Sequence, residues 1–526
     1  KPSKYSLIKE IKEENLKEDS KVVGSTNTGN KLVINYDIIA RRDLVLNAMV
    51  KNELITLHEM EEIKNKDISE LVSYKKPKRY ENTSYYIDMV YEEVLEELQK
   101  QGKNKEESEY LLQHGGLKIY TTIDLEKQQQ LEEFYDKPEN FVSSTLKDIN
   151  GEQIMQPQSA FVLLENNTGH IKAIIGGRGL GKNGRKLYNR ATEPRQPGSS
   201  IKPLAVYVKA LERGYSPSTI VNESKVFYDK NNPKKPWPRN WHGRYKGRMT
   251  LRKSLEDSSN TVPVKILDEF GITDKASFRE MSIMLERLGI TSFVTEDKPV
   301  IKDDKIYHDE TYSTALGGMT YGVSPLEMAG AYSVFPNKGI YKKPTTLVKV
   351  TNKNNEVLID NSKLYRKAVT EGVAYLMTDM LKGVVTNGLG KRASIRIMNT
   401  GIPVAGKTGT TSSTRDAWFV GFTPYYTASV WIGNDMNENL QQGSAMAAEM
   451  WSEIMQEFHK NLPDKDFDES KDIVEVEVNP NDGKIATKYT RKVKRIYPKG
   501  YEPTEVSEYV PPIRVTQPTV DIHENV

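Results

Sequence analysis

No cysteine occurs among the 526 residues. That excludes a thiol nucleophile, a disulfide framework, a thiolate zinc site and an iron–sulfur cluster. Histidine is scarce: His58, His114, His170, His242, His308, His459 and His523 are all there is. No two stand at ligand spacing and no H-E-x-x-H occurs, so no metal or other cofactor is expected. There is no apolar run of the roughly 18 residues that a membrane helix needs. There is also no excess of one charge. Lys plus Arg is 75 and Asp plus Glu is 72, a net +3, which gives no argument for nucleic acid as a partner. The G-x-S-x-G elbow of a Ser-His-Asp hydrolase is missing. The Gly-rich run 176–184 contains no G-x-x-x-x-G-K-[ST], so a nucleotide loop is not expected. The chain opens on Lys1 with no basic-then-apolar leader, and is read as a piece of a longer protein.

At roughly 100–200 residues per domain, the length suggests three or four units, large enough for a core without staples. Residues 1–35 are charged, then rich in Gly, Ser, Thr and Asn, and loop or disorder is expected. From Arg41 the pattern is helical, with Leu44 and Ala48, and Val45 and Met49, at i, i+4. Asn52 and Glu53 break it, and Thr56 with Glu59 forms a capping box for the next helix. Lys75 to Arg79 reads as a basic linker. An amphipathic helix follows through Ile87, Tyr91, Val94, Leu95 and Leu98, with Gly102 as its stop. Leu117 to Ile123 alternates like a strand, and Asp124 caps a helix. Residues 160–164 and 171–175 read as a hairpin across Asn166–Gly169. From about 199 to 390 helix dominates. Three β-type runs, 405–410, 417–423 and 427–432, lead into a helix over 446–460. A small β appendage is expected over 473–478 and 484–497, then a Pro-containing tail.

The chemistry lies in serines and lysines. The order S-x-x-K, S-x-N, K-[ST]-G marks one class of serine acyl-transfer site. S-x-x-K begins at Ser6, Ser73, Ser144 and Ser199, and S-x-N at Ser25 and Ser258. Lys407-Thr408-Gly409 is the single K-[ST]-G. Order alone does not choose among the serines, but context favours Ser199. Pro197 and Gly198 mark a turn, and a helical pattern with Leu204, Val208 and Leu211 follows. This puts Ser199 at a helix start, where backbone N–H groups favour developing negative charge. Lys202 lies one turn on. A serine needs a base, and a lysine is a base only when neutral, through desolvation or a neighbouring cation. Lys407 supplies that cation if the motifs converge, and the two lysines then titrate as a pair. Ser258 is placed to relay a proton, and Asn260 to orient Lys202. Lys407, Thr408 and Thr410 suit a substrate carboxylate, and Gly409 permits close approach on a strand edge. The N–H groups of Ser199 and Thr410 suit an oxyanion hole. The opposing readings are an ordinary polar helix end for Ser258 and Asn260, and a solvated strand charge for Lys407.

Over about residues 110–500 the chain resembles the class A penicillin-binding proteins. The resemblance is carried by GGLKIYTTIDLEKQ (115–128), ENNTGHIKAIIGGR (165–178), RQPGSSIKPLAVY (195–207), SLEDSSNTVPVKI (254–266), LGGMTYGVSPLEMAGAY (316–332), AYLMTDMLKGVV (374–385) and PVAGKTGTTSSTRDAWFVGFTP (403–424). It implies an α/β fold like that of serine β-lactamases: an antiparallel five-stranded sheet with flanking helices and a helical subdomain. It implies D,D-transpeptidation of peptidoglycan stem peptides ending in D-Ala-D-Ala, and acylation by β-lactams. Ser199 is then the nucleophile, Lys202 the base, Ser258 and Asn260 the second motif, and Lys407, Thr408, Gly409 and Thr410 the third.

The family's glycosyltransferase signature, E-D-x-x-F-x-x-H-x-G, is absent. Only ARRDLVLNAMVKNELIT (40–56) is similar to the last helices of that domain. The expected organisation is a glycosyltransferase remnant and linker over 1–78, an inter-domain region over 79–155, the transpeptidase over 156–462, and an appendage and tail over 463–526. A parent protein with a glycosyltransferase domain, anchored on the outer face of the cell membrane among other wall-synthesis proteins, is implied in turn. Asn240-Trp241 is a candidate pair for the cleft wall, with plain packing as the other reading.

Overall fold

The computed structural model describes residues 8–17, 20–25, 30–67, 85–141, 144–147, 153–179, 188–228, 232, 234–269, 275–361, 365–393, 401–480 and 482–508. The chain divides into two compact units, 1–82 and 83–526.

In the first unit, β1 (Ile8–Ile11), β2 (Val22–Ser25) and β3 (Lys31–Ile34) form an antiparallel sheet in the order β1-β3-β2. The loop expected over 1–35 is therefore wrong for these segments. Val33 and Ile34 are buried, but strands of four residues are too short to show an alternation above their Lys and Glu content. Helix α1 (Ile39–Lys51) ends at Asn52, and Glu53 takes a positive φ. Helix α2 (Leu57–Asn65) starts on the complete Thr56–Glu59 capping box. The i, i+4 pattern finds α1 but not its buried side. Leu46 is its one buried residue, and Leu44 and Val45 are exposed. The basic linker expected at 75–79 lies outside the described residues.

The second unit opens with α3 (Tyr85–Lys100), which buries Val94, Leu95 and Leu98 and is followed by Gly102 at positive φ. Its expected stripe is broader than the buried one, since Ile87 is exposed. Strand β4 (Lys118–Thr121) pairs with Leu347–Thr351 rather than with the main sheet. Helix α4 (Leu125–Tyr135) is capped by Asp124, whose Oδ1 accepts from the N–H of Lys127 at 3.2 Å. Strands β5 (Gln158–Glu165) and β6 (Ile171–Ile175) form the expected hairpin. The span 199–390 is less helical than its pattern suggests. It contains strands β7 (Ile220–Glu223) and β8 (Gly247–Thr250) among other short pairs. Helices α5 (Leu251–Glu256), α6 (Thr261–Glu269), α7 (Pro325–Ser333) and α8 (Glu371–Thr386) make up the rest of what concerns the site.

Strands β9 (Ala405–Thr410), β10 (Asp416–Phe422) and β11 (Tyr426–Gly433) complete an antiparallel five-stranded sheet in the order β9-β10-β11-β5-β6. Successive side chains point to opposite faces, and both faces are covered. Ala160, Val162, Trp418, Val420 and Trp431 join a core with Met328, Tyr332, Met377 and Leu381 of α7 and α8. Phe161, Leu163, Phe419, Val430 and Ile432 join a second core with Trp451 and Met455 of α9 (Ser444–His459) and Leu131 of α4. Double burial explains why these strands read as continuous apolar runs. A hairpin of β12 (Ile473–Val478) and β13 (Val493–Pro498) follows. Among the described residues no helix is long and apolar enough to cross a membrane.

Candidate active site

Three stretches far apart in sequence meet at one end of the sheet. Ser199 stands in a 3-10 turn, Gly198–Ile201, which runs into a π-helical stretch, Pro203–Tyr207, and then an α-helical end, Val208–Glu212. The expected helix start is there, but its first three turns are irregular. Leu204, Val208 and Leu211 are buried, and so are the residues between them apart from the half-buried Lys209. The segment is thus a core helix rather than an amphipathic one. Ser199 is partly exposed. Its loop is held by neighbours on several sides. Trp418 Nε1 donates to the Gln196 carbonyl at 2.9 Å. The Gln196 amide exchanges hydrogen bonds of 2.7 and 2.9 Å with the main chain of Met319. Tyr332 Oη donates to the Ser200 carbonyl at 2.6 Å.

β9 is an edge strand, and the nucleophile loop lies against it backbone to backbone. A Cβ on Gly198, whose φ is +52°, would sit 2.5 Å from the Thr410 carbonyl oxygen. A Cβ on Gly409 would sit 2.4 Å from that of Pro197. Neither contact tolerates a side chain, which is the steric reason for the glycine in both motifs.

Beneath Ser199 the two lysines are fully buried. Lys202 Nζ donates to the Ser258 carbonyl at 2.8 Å, the Ser259 carbonyl at 2.8 Å and Asn260 Oδ1 at 2.6 Å. Ser258 Oγ lies between the lysines, 3.5 Å from Lys202 Nζ and 3.0 Å from Lys407 Nζ. Lys407 also donates to the Thr408 carbonyl at 3.1 Å. Ser258 follows the C-cap of α5 with φ +54°, a left-handed conformation that costs a non-glycine residue about 1–3 kcal/mol and recurs at functional sites. Asn260 is fixed in turn. Its N–H donates to Asn240 Oδ1 at 2.9 Å, and its Nδ2 to the Arg239 carbonyl at 2.7 Å.

Burial sets the protonation chemistry. It lowers Lys202 well below the usual lysine range, and the Lys407 charge lowers it further. The charge of the buried Glu223 pulls the other way without reversing the direction. Lys407 is pushed down to about 7 by burial. Two cations that disfavour each other, joined by one hydroxyl, form a proton-handling unit.

Above this unit opens a cleft of about 860 Å³. Ser199, Ser258, Asn260, Thr408 and Thr410 line it. Lys202, Lys407 and Gly409 do not line it, and both lysines are fully buried. Trp241 lines the cleft and is exposed, with its Nε1 donating to the Asp257 carbonyl at 3.1 Å. Asn240 is buried behind Asn260 instead, so the expected pair divides into a wall residue and a support. Sequence reasoning missed Trp237, Pro238, Arg239 and Arg415 as lining residues. Only the proximity of Trp237–Arg239 to the second motif could have suggested them. Among the described residues no cluster of three or more His, Asp or Glu is placed to hold a metal.

Comparison with known proteins shows the family in which this arrangement occurs. Residues 159–456 match the penicillin binding protein transpeptidase domain, and residues 469–512 the C-terminal domain of penicillin-binding protein 1A. Penicillin-binding protein 1A of Clostridium acetobutylicum is 38% identical over 373 residues, 69% of this chain and 43% of the relative. Its counterpart in Aquifex aeolicus is 31% identical over 544 residues, 88% of this chain and 68% of the relative. The chain spans about half the length of most of these curated relatives, as with Clostridium botulinum at 52%. The crystal structure of penicillin-binding protein 1A from Haemophilus influenzae shares the fold, with a TM-score of 0.61 at 21% identity over 89% of this chain and 83% of that one. PonA1 of Mycobacterium tuberculosis, solved with penicillin V, aligns with a TM-score of 0.59 at 23% identity over 73% of this chain and 96% of that one. The chain belongs to the penicillin-binding protein 1A family.

Proposed function

We propose that this chain is a serine D,D-transpeptidase that cross-links peptidoglycan stem peptides and is acylated by β-lactams. The observation that carries the reading is Ser258 Oγ set between two buried lysines under a cleft lined by Ser199. Neutral Lys202 takes the Ser199 proton as Ser199 attacks the carbonyl of the penultimate D-Ala. The N–H groups of Ser199 and Thr410 hold the oxyanion, where one donor is worth about 3–4 kcal/mol. Ser258 passes the proton on to the leaving D-Ala amine. Charged Lys407, Thr408 and Thr410 hold the terminal carboxylate. An amine of a neighbouring stem then resolves the ester. The longer protein is proposed to polymerise glycan as well, and to sit on the outer face of the cell membrane beside other wall-synthesis proteins. Residues 1–78 are read as the end of its glycosyltransferase, 79–155 as the connection, 156–462 as the transpeptidase and 463–526 as an appendage.

Intact-mass spectrometry after penicillin, with peptide mapping, tests this. A single adduct on Ser199 is expected, lost in Ser199→Ala and retained in Ser6→Ala, Ser73→Ala and Ser144→Ala. An adduct that survives Ser199→Ala would overturn the assignment. The adduct is also expected to persist. Class A β-lactamases activate a deacylating water with a glutamate, and no glutamate is among the described residues lining this cleft. An acceptor amine held close replaces that activation in a transpeptidase. Continuous nitrocefin hydrolysis, with free enzyme back within seconds, would favour a hydrolase.

A further inference from the structure

Away from the catalytic cleft, a cavity of about 460 Å³ opens between α5, the end of α8 and the β12–β13 hairpin. Four cations line it, Arg252, Lys253, Lys494 and Arg495, against three carboxylates, Glu256, Asp379 and Glu475. Three of the cations have a carboxylate of their own. Arg252 is bonded to the Asp379 carboxylate, and its Nη1 donates to the Asp379 carbonyl at 2.8 Å. Lys253 lies 3.4 Å from Glu256, and Lys494 lies 2.7 Å from Glu475. Arg495 has no carboxylate among the described residues. Its one hydrogen bond goes from Nη1 to the Lys494 carbonyl at 3.2 Å. Its charge also bears on Arg252, which burial and then Arg495 push down to about 10. Asn387, the C-cap of α8, lines the same cavity.

We infer that this cavity is an oxyanion site, where a phosphate group is held by Arg495 and Arg252 with the Asn387 amide as a third donor. A guanidinium fork fits a tetrahedral oxyanion through two parallel hydrogen bonds. Among the described residues the lining carries four cations against three carboxylates, and Arg495 is the fork without a carboxylate of its own, so one more anion balances the cavity. The cavity is larger than a phosphate ion, so it has room for the group that bears the phosphate. The same chemistry serves a free phosphate or a phospholipid head group. Occupancy would tie the C-terminal hairpin to α5, which runs through Asp257 directly into Ser258.

Calorimetric titration of the full chain with inorganic phosphate, at ionic strength held constant with chloride, tests the site. Saturable one-to-one binding is expected, weakened about tenfold or more in Arg495→Met. Arg495→Lys, which keeps the charge and loses the fork, is expected to weaken it as well and covers the case where the Met variant does not fold. Lys492→Met, on the same hairpin but outside the cavity, is expected to bind as wild type does. Without phosphate, the acylation rate of Arg495→Met is expected to stay within about twofold of wild type. Sedimentation with phosphatidylglycerol vesicles separates the sources. Arg495-dependent vesicle binding assigns a head group, and phosphate binding without it assigns the free ion. Phosphate heats equal in wild type and both Arg495 variants, or reproduced by chloride, would overturn the site.

Discussion

Lys407 and Lys494 both project from β-strands, one in the catalytic sheet and one in the C-terminal hairpin, and their surroundings treat the proton in opposite ways. Lys407 is fully buried and has no carboxylate among its hydrogen-bond partners, and burial draws it down to about 7. Lys494 is two-thirds exposed and lies 2.7 Å from Glu475, whose hydrogen bond and charge raise its proton affinity. The first arrangement costs folding energy and creates chemistry. The second costs little and does none. A buried lysine without a counter-ion persists only where function requires it.

The largest effect expected from breaking this arrangement is on acylation. Lys202→Ala removes the base of the proposed mechanism while leaving the sheet strands in place, so penicillin acylation should slow by about 10²–10⁴-fold. Stopped-flow rates near wild type would mean another group takes the Ser199 proton.

The next effect is on stability, and its sign runs against intuition. The folded-state proton affinity of Lys407, about 7, lies below the ordinary 10.5. The unfolded chain therefore binds more protons between those values, and this lysine costs stability at pH 7 that returns as the pH rises towards 10.5. Lys407→Met should abolish acylation yet raise the unfolding free energy by a few kcal/mol at pH 7, less the lost hydrogen bond to Ser258. The gain should fade near pH 10. Lys494→Met should shift the midpoint at neither pH. Equal pH profiles for the two variants would erase the distinction between the strands.

The sequence carried this contrast only in part. The K-T-G spelling located Lys407, but a lysine on a strand reads as solvated. Only the tertiary cover above β9 decides otherwise. The strands of the main sheet were readable because both faces are buried, which leaves long apolar runs such as Ala160–Leu164 and Trp418–Val420. The strands of the first unit were not readable, since four residues are too few to carry a period. The three motifs named Lys202, Ser258 and Lys407, which meet around Ser258 Oγ. They could not give Asn240 behind Asn260, nor Gln196 bridging to Met319, because such supports depend on which loops meet. The turn type at Ser199 was also out of reach. Helix propensity names a helix, whereas the 3-10 turn at Gly198–Ile201 lies backbone to backbone against β9.

His459 extends the comparison to burial that serves packing alone. Its ring is fully buried at the end of α9, with Nδ1 2.6 Å from the Met455 carbonyl and Nε2 2.8 Å from Thr423 Oγ1. The carbonyl can only accept, so Nδ1 carries the proton and Nε2 accepts from the threonine. Both partners are thus satisfied by the neutral ring. Burial holds the ring down to about 4 against an ordinary 6.5, and the charge of Lys127 adds to it. Here the unfolded chain takes up the proton first. The stability this residue contributes is fully present above pH 6.5 and is lost as the pH falls towards 4. The span corresponds to about 3 kcal/mol at most. Urea unfolding of wild type and His459→Gln at pH 7, 5.5 and 4 measures it. The variant should be less stable at pH 7, and the gap should narrow by up to about 3 kcal/mol at pH 4. Parallel curves would mean that the ring is hydrated or exchanges its partners, and that burial at this position does not govern its proton.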